Sequence, residues 1–254
     1  MPFATNDGVR IHYQVAGAGP ALVLMHGIGT TERAWTDLGY VDRFAPHFTV
    51  VTIDGRGHGK SDRPRVASAY VRENRRDDTL AVMDALGIDQ AHLMGYSLGA
   101  RCAMYVATWH PERALSVVVA GANPYPSEVN MPLTRPLRRA MARSGSAPLA
   151  LLARVKGRLF PDAQRIVGPL IEASDRGRHF DVELSVERMR MPVLVISGER
   201  DERFALEKTR EWTSRLANAR LEVVPDVGHG LFQTPGSLLP YAEPFLMELR
   251  AGVV

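Results

Sequence analysis

Residues 91–99 read Ala91-His92-Leu93-Met94-Gly95-Tyr96-Ser97-Leu98-Gly99. A short apolar run, 91–94, stops at Gly95. A serine then stands midway between two glycines, and residues 98–109 continue apolar nearly all round, as a helix buried against a sheet does. The stretch predicts a strand that turns sharply into a helix, with Ser97 at the apex. Gly95 and Gly99 suit such a turn because a Cβ at either position would obstruct close passage of the backbone.

Outward from this turn the same alternation repeats. Short apolar runs at 21–25, 48–53, 116–120 and 192–196 end respectively at His26-Gly27, Asp54-Gly55, Gly121 and Ser197-Gly198, and another lies at 221–224. Runs of this kind are how buried parallel strands look. Residues 9–15 alternate apolar and polar and end at Ala16-Gly17, as a half-buried strand would. Helical patterns lie at 70–86, which stops at Gly87, and at 204–216 and 237–249. Strand and helix in alternation predict the α/β class: a mostly parallel, doubly wound sheet covered on both faces. The pattern breaks between Asn123 and about Arg190. Strand runs disappear, prolines crowd at 124, 126, 132 and 136, and the segment is too long for an ordinary loop. The expected organisation is a core of residues 1–122 and 191–254, with a helical insertion at 123–190.

Composition narrows the class. The chain has 254 residues, 45% of them apolar and 23% charged, which suits a globular domain and argues against disorder. The net charge of +3 is spread out, apart from Arg135, Arg138, Arg139 and Arg143. That cluster reads as a solvated helix face, and no nucleic-acid partner is expected. Cys102 is the sole cysteine, so an intramolecular disulfide is excluded. Residues 1–8 lack a basic stretch followed by an apolar one, and no apolar run approaches 18 residues. A cytoplasmic protein with no membrane partner is the expectation.

The chemistry centres on Ser97. A serine hydroxyl is a weak nucleophile at neutral pH and needs a base. Of eight histidines, His229 stands in Asp226-Val227-Gly228-His229-Gly230, a glycine-flanked loop after the last strand run. A base placed there can meet Ser97 at the carboxyl edge of a sheet. His12, His47, His58, His92, His110 and His179 read as structural or solvated. The base in turn needs an acid that holds its tautomer, and chain order should run Ser, acid, His. Asp201, just beyond the strand run ending at Ile196, is the preferred acid, with Glu199 and Glu202 as alternatives. The oxyanion needs two backbone donors: Leu98 N–H, after the nucleophile, and Ile28 N–H, in His26-Gly27-Ile28-Gly29. His26 is expected to pin that loop rather than move a proton. No metal-ligand spacing appears, and neither metal nor organic cofactor is called for.

These residues resemble the α/β-hydrolase superfamily over nearly the whole chain. The matching blocks are His26-Gly27-Ile28-Gly29, Asp54-Gly55-Arg56-Gly57-His58-Gly59-Lys60-Ser61, Gly95-Tyr96-Ser97-Leu98-Gly99, Gly198-Glu199-Arg200-Asp201 and Gly228-His229. The resemblance implies that the Asp54 block is a structural turn and that residues 123–190 form a cap over the active site. Serine at the elbow separates the chain from haloalkane dehalogenases and epoxide hydrolases, which carry Asp there, and from dienelactone hydrolases, which carry Cys. Gly29-Thr30-Thr31 followed by Trp35 is similar to small bacterial esterases and 3-oxoadipate enol-lactonases.

The leading expectation is a serine hydrolase of a small-molecule carboxylic ester or lactone, with Ser97, His229 and Asp201 as its catalytic residues. Met131, Met141, Leu149, Leu151, Leu152 and Phe160 are candidates to line its pocket. Two alternatives stand beside it. One keeps the three residues but cleaves a carbon–carbon bond or runs another reaction of the same fold. The other is a non-enzymatic small-molecule receptor on a hydrolase scaffold.

Overall fold

A computed structural model describes residues 1–125, 184–234 and 236–251. Among these, eight strands form one sheet: β1 (Phe3–Asn6), β2 (Val9–Ala16), β3 (Ala21–Met25), β4 (Thr49–Ile53), β5 (Ala91–Tyr96), β6 (Ala114–Ala120), β7 (Val193–Gly198) and β8 (Ala219–Val224). Their spatial order is β1-β2-β4-β3-β5-β6-β7-β8. β2 pairs antiparallel with both β1 and β4, and every pairing from β4 to β8 is parallel. The helices are α1 (Arg33–Asp37), α2 (Tyr40–Phe44), α3 (Arg72–Ala85), α4 (Leu98–Trp109), α5 (Leu206–Thr213) and α6 (Leu239–Ala251).

The sheet is covered on both faces, which explains the unbroken apolar runs in the sequence. Successive strand side chains point to opposite sides. In β3, Val23 and Met25 pack in one layer with Val82 and Met83 of α3, Met104 of α4 and Trp212 of α5. Leu22 and Leu24 pack in the other with Trp35 of α1, Phe44 of α2 and Phe245 and Leu246 of α6. The predicted α/β architecture is therefore the observed one. The helix expected at 98–109 is α4 residue for residue.

Three elements were not legible in advance: β1, α1 and α2. The two helices are five residues each, too short to set up a periodic pattern. β1 is a four-residue edge strand with one buried side chain, Ala4.

The insertion expected at 123–190 falls outside the described residues from 126 to 183. So do His179, the four arginines at 135–143 and the six candidate pocket residues. The segments flanking that stretch are joined, because Leu184 N–H donates to Pro124 O at 3.1 Å. Leu184, Val186 and Met189 are buried in the α4-side layer. No helix among the described residues is long and apolar enough to cross a membrane.

Candidate active site

Parallel strands deliver their carboxyl-end loops to one edge of the sheet. The chain steps from β3 outward to β4 on one side, then returns to place β5 on the other side of β3. Ligand crevices of open α/β sheets form where strand order reverses in this way. The loop 26–29 leaves β3 and Ser97 leaves β5, so both stand at this switch point.

Ser97 occupies the strand-to-helix turn with φ 53° and ψ −113°. This is a positive-φ conformation that a residue with a Cβ adopts only under strain. Its N–H donates to Ala120 O at 2.8 Å, tying the turn to β6. The two motif glycines are required by close approach. A Cβ at Gly95 would lie 2.3 Å from Gly99 O, and one at Gly99 would lie 2.0 Å from Met25 O. The turn can form only if both positions lack a side chain.

His229 opens a one-turn 3-10 helix, His229–Phe232, after β8. Its Nε2 lies 3.1 Å from Ser97 Oγ, and its Nδ1 lies 3.0 Å from Asp201 Oδ2. Asp201 Oδ1 accepts from the N–H groups of Arg203 at 2.8 Å and Phe204 at 3.0 Å, which fixes the carboxylate. Buried, doubly hydrogen-bonded and facing Nδ1, the carboxylate sets the tautomer with the lone pair on Nε2, toward the serine. The other two acids do different work. Glu199 Oε2 accepts from Asp226 N–H at 3.0 Å, stabilising a turn in which Asp226 has φ 60°. Glu202 Oε2 accepts from His229 N–H at 3.3 Å. Asp201 is thus the acid brought to the imidazole ring, while Glu202 touches only the backbone of the same residue.

The loop after β3 lies against the nucleophile: a Cβ at Gly27 would be 2.9 Å from the Tyr96 ring and 3.4 Å from Ser97 Cβ. Two histidines hold it. His26 Nδ1–H donates to Gly27 O at 2.7 Å while its Nε2 accepts from Gly55 N–H at 3.1 Å. His58 Nε2 accepts from Gly29 N–H at 3.2 Å while its Nδ1 faces Arg56 O at 3.2 Å. Ile28 is therefore clamped on both sides, and no acceptor among the described residues takes its own N–H. Leu98 N–H, at the start of α4, likewise has no intrahelical acceptor. Burial pushes both histidines below the ordinary imidazole range, and for His58 the neighbouring His26 and Arg75 act in the same direction. They serve as neutral rings, since each acceptor bond requires an unprotonated Nε2. His58, which the sequence reads as structural or solvated, holds Gly29 from 29 positions away, a link that leaves no local signal.

Tyr96 braces the His229 loop. Its hydroxyl donates to His229 O at 2.5 Å, and its ring stacks on Phe232 with centroids 5.0 Å apart. The Asp54 block forms a dense turn. Asp54 accepts from the N–H groups of Glu32 at 2.9 Å and Lys60 at 3.0 Å, and meets His12 Nδ1 at 2.9 Å. His12, Glu32 and Asp54 bring ligand-type atoms within 4.8 Å of one another. The Asp54 oxygens are already occupied by these donors, so the cluster reads as a structural brace.

Comparison with known proteins agrees with this fold. A family model described as alpha/beta hydrolase fold matches residues 20–146. The chain belongs to the α/β-hydrolase fold family. Within it, a protein of Bacillus subtilis (strain 168), provisionally named 2-succinyl-6-hydroxy-2,4-cyclohexadiene-1-carboxylate synthase, is 30% identical, covering 88% of this chain and 89% of its own. The 2-hydroxymuconate semialdehyde hydrolase of Pseudomonas sp. (strain CF600) is 28% identical over 87% of this chain and 84% of its own. Among solved structures, the enol-lactonase from Burkholderia xenovorans LB400 superposes with a TM-score of 0.72 at 25% identity, covering 99% of this chain and 98% of its own.

Proposed function

We propose that this α/β hydrolase cleaves a small-molecule carboxylic ester or lactone through an acyl-enzyme on Ser97. The observation that carries this reading is the continuous hydrogen-bonded line Ser97 Oγ, His229 Nε2, His229 Nδ1, Asp201 Oδ2. Ser97 Oγ attacks the carbonyl carbon as His229 Nε2 takes its proton. The carbonyl oxygen becomes an oxyanion facing the N–H groups of Leu98 and Ile28. These donors are worth most when preorganised, and the clamping of Ile28 by His26 and His58 supplies that preorganisation. The C–O bond then breaks, and His229 returns its proton to the leaving alkoxide. Water, deprotonated by His229, attacks the acyl carbon; the bond to Ser97 Oγ then breaks, His229 returns the proton to Oγ, and the acid leaves. Asp201 stabilises the imidazolium in both halves. The cycle draws on no metal or organic cofactor, and its substrate is taken from the cytoplasm as a free small molecule.

The enol-lactonase likeness favours lactones within this class. A second reading rests on the likeness to 2-hydroxymuconate semialdehyde hydrolase: the same residues would then cleave a carbon–carbon bond. The test is release of nitrophenol from esters of increasing acyl length, run beside hydrolysis of an enol-lactone and of a ring-fission product, for the native protein and Ser97→Ala. Ester or lactone turnover lost in the variant supports the proposal. Turnover of the ring-fission product alone moves the assignment to the second reading.

A further inference from the structure

Under the loop 26–29, between the carboxyl ends of β3 and β4, the body of α3 and the first turn of α4, lies a cavity of about 30 Å³. Its wall includes His26, His58, Arg75, Asp78, Gly99 and Cys102. The space admits one water-sized guest or one small ion. Arg75 is only 3% exposed, and among the described residues its buried Nη2 has no hydrogen-bond partner. Its Nε donates to Tyr70 O at 3.3 Å.

The charges around the cavity do not balance. Asp78 is the carboxylate in the wall, and it is committed elsewhere: its oxygens accept from Arg56 Nε at 2.6 Å, Arg56 Nη2 at 2.5 Å and Asn6 Nδ2 at 2.9 Å. Arg56 and Asp78 therefore cancel. His26 and His58 are neutral through their acceptor bonds. Burial pushes the Cys102 thiol up to about 11, so it adds no negative charge near neutrality. Among the described residues one guanidinium charge, that of Arg75, is left over; the Tyr70 ring, 5.6 Å from its Cζ, eases it but brings no counter-charge. Leu98 and Gly99 also bring the positive end of the twelve-residue α4 to the wall. A buried charge without a counter-charge is unfavourable, and a water molecule would satisfy the hydrogen bond but not the charge.

We propose that this cavity is a binding site for a small monovalent anion of the halide type, held by Arg75 and favoured by the amino end of α4. Its size suits a monatomic ion rather than sulfate, phosphate or an organic acid. The site is independent of which bond the enzyme cleaves.

The test uses the full chain. Crystals grown in sodium bromide should show an anomalous peak within hydrogen-bonding distance of Arg75 Nη2. Thermal unfolding at fixed ionic strength should show a midpoint a few degrees higher in chloride or bromide than in gluconate, saturating with halide concentration. Arg75→Met should abolish both effects and Arg75→Lys should retain part of them; the native protein alone decides the matter if Arg75→Met does not fold. No anomalous signal in the cavity, with matching midpoints in the two salts, overturns the proposal. So does a peak that survives Arg75→Met.

Discussion

The hydroxyl of Tyr96 donates to the carbonyl oxygen of His229 at 2.5 Å, so the residue next to Ser97 holds the loop that carries His229. Removing this hydroxyl leaves a buried carbonyl without its partner, while the stack on Phe232 remains. Tyr96→Phe should lower stability by about 1–3 kcal/mol. It should lower kcat about tenfold with KM unchanged, because the base loses alignment rather than chemistry. Urea denaturation and steady-state kinetics on a nitrophenyl ester check both.

Asp201 and Glu202 both touch His229, one at the ring and one at the backbone. Asp201→Asn should cut kcat about 10,000-fold, because an amide at that point favours the wrong imidazole tautomer. Glu202→Gln keeps an acceptor for the His229 N–H and should stay within about threefold of native activity, a change under 1 kcal/mol. Equal losses in the two variants would contradict the assignment of roles.

The neutral histidines under the loop make the fold acid-sensitive. Burial holds His26 and His58 below their ordinary value in the native state, whereas the unfolded chain protonates them normally near pH 6.5. Their contribution to stability is therefore complete above about pH 6.5 and is lost as pH falls from there through the lowered native values. Denaturation midpoints taken from pH 7.5 to pH 5 should decline. In His58→Gln, which keeps an acceptor for Gly29 N–H but cannot titrate, the decline should be shallower. An identical pH dependence in the variant would rule out His58 as a contributor.

Gly99 faces Met25 O, where an added Cβ would stand 2.0 Å away. Since both partners are backbone, neither can swing aside. Gly99→Ala should cost at least about 3 kcal/mol, the upper end of overpacking, and should displace the nucleophile. Circular dichroism melts set against those of Gly87→Ala, at a glycine with nothing within 4 Å but φ +66°, separate the clash from simple backbone strain.

Much of this arrangement is legible in the sequence, for identifiable reasons. Strands buried on two faces leave unbroken apolar runs, and the loops after them carry glycines wherever backbones approach closely. That is enough to locate Ser97, His229 and the loop 26–29. Among Glu199, Asp201 and Glu202 the sequence favours Asp201 by its place just beyond a strand run, but which side chain the turn after β7 aims inward is set by the folded turn and not by any local pattern. The role of His58 is hidden for the same reason as the bracing by Tyr96. Each is a contact between distant loops, created when the sheet brings their ends together, and neither leaves a periodic or local pattern.

Ser97 adopts a backbone conformation, φ 53° and ψ −113°, in which glycine would rest without strain. Ser97→Gly should therefore be more thermostable than the native chain and more stable than Ser97→Ala, while lacking the nucleophile. Selection for heat resistance alone would favour an inert protein at this position. On the proposed mechanism the same strain is what holds the Ser97 hydroxyl out toward His229, so stability and turnover pull in opposite directions at this one position.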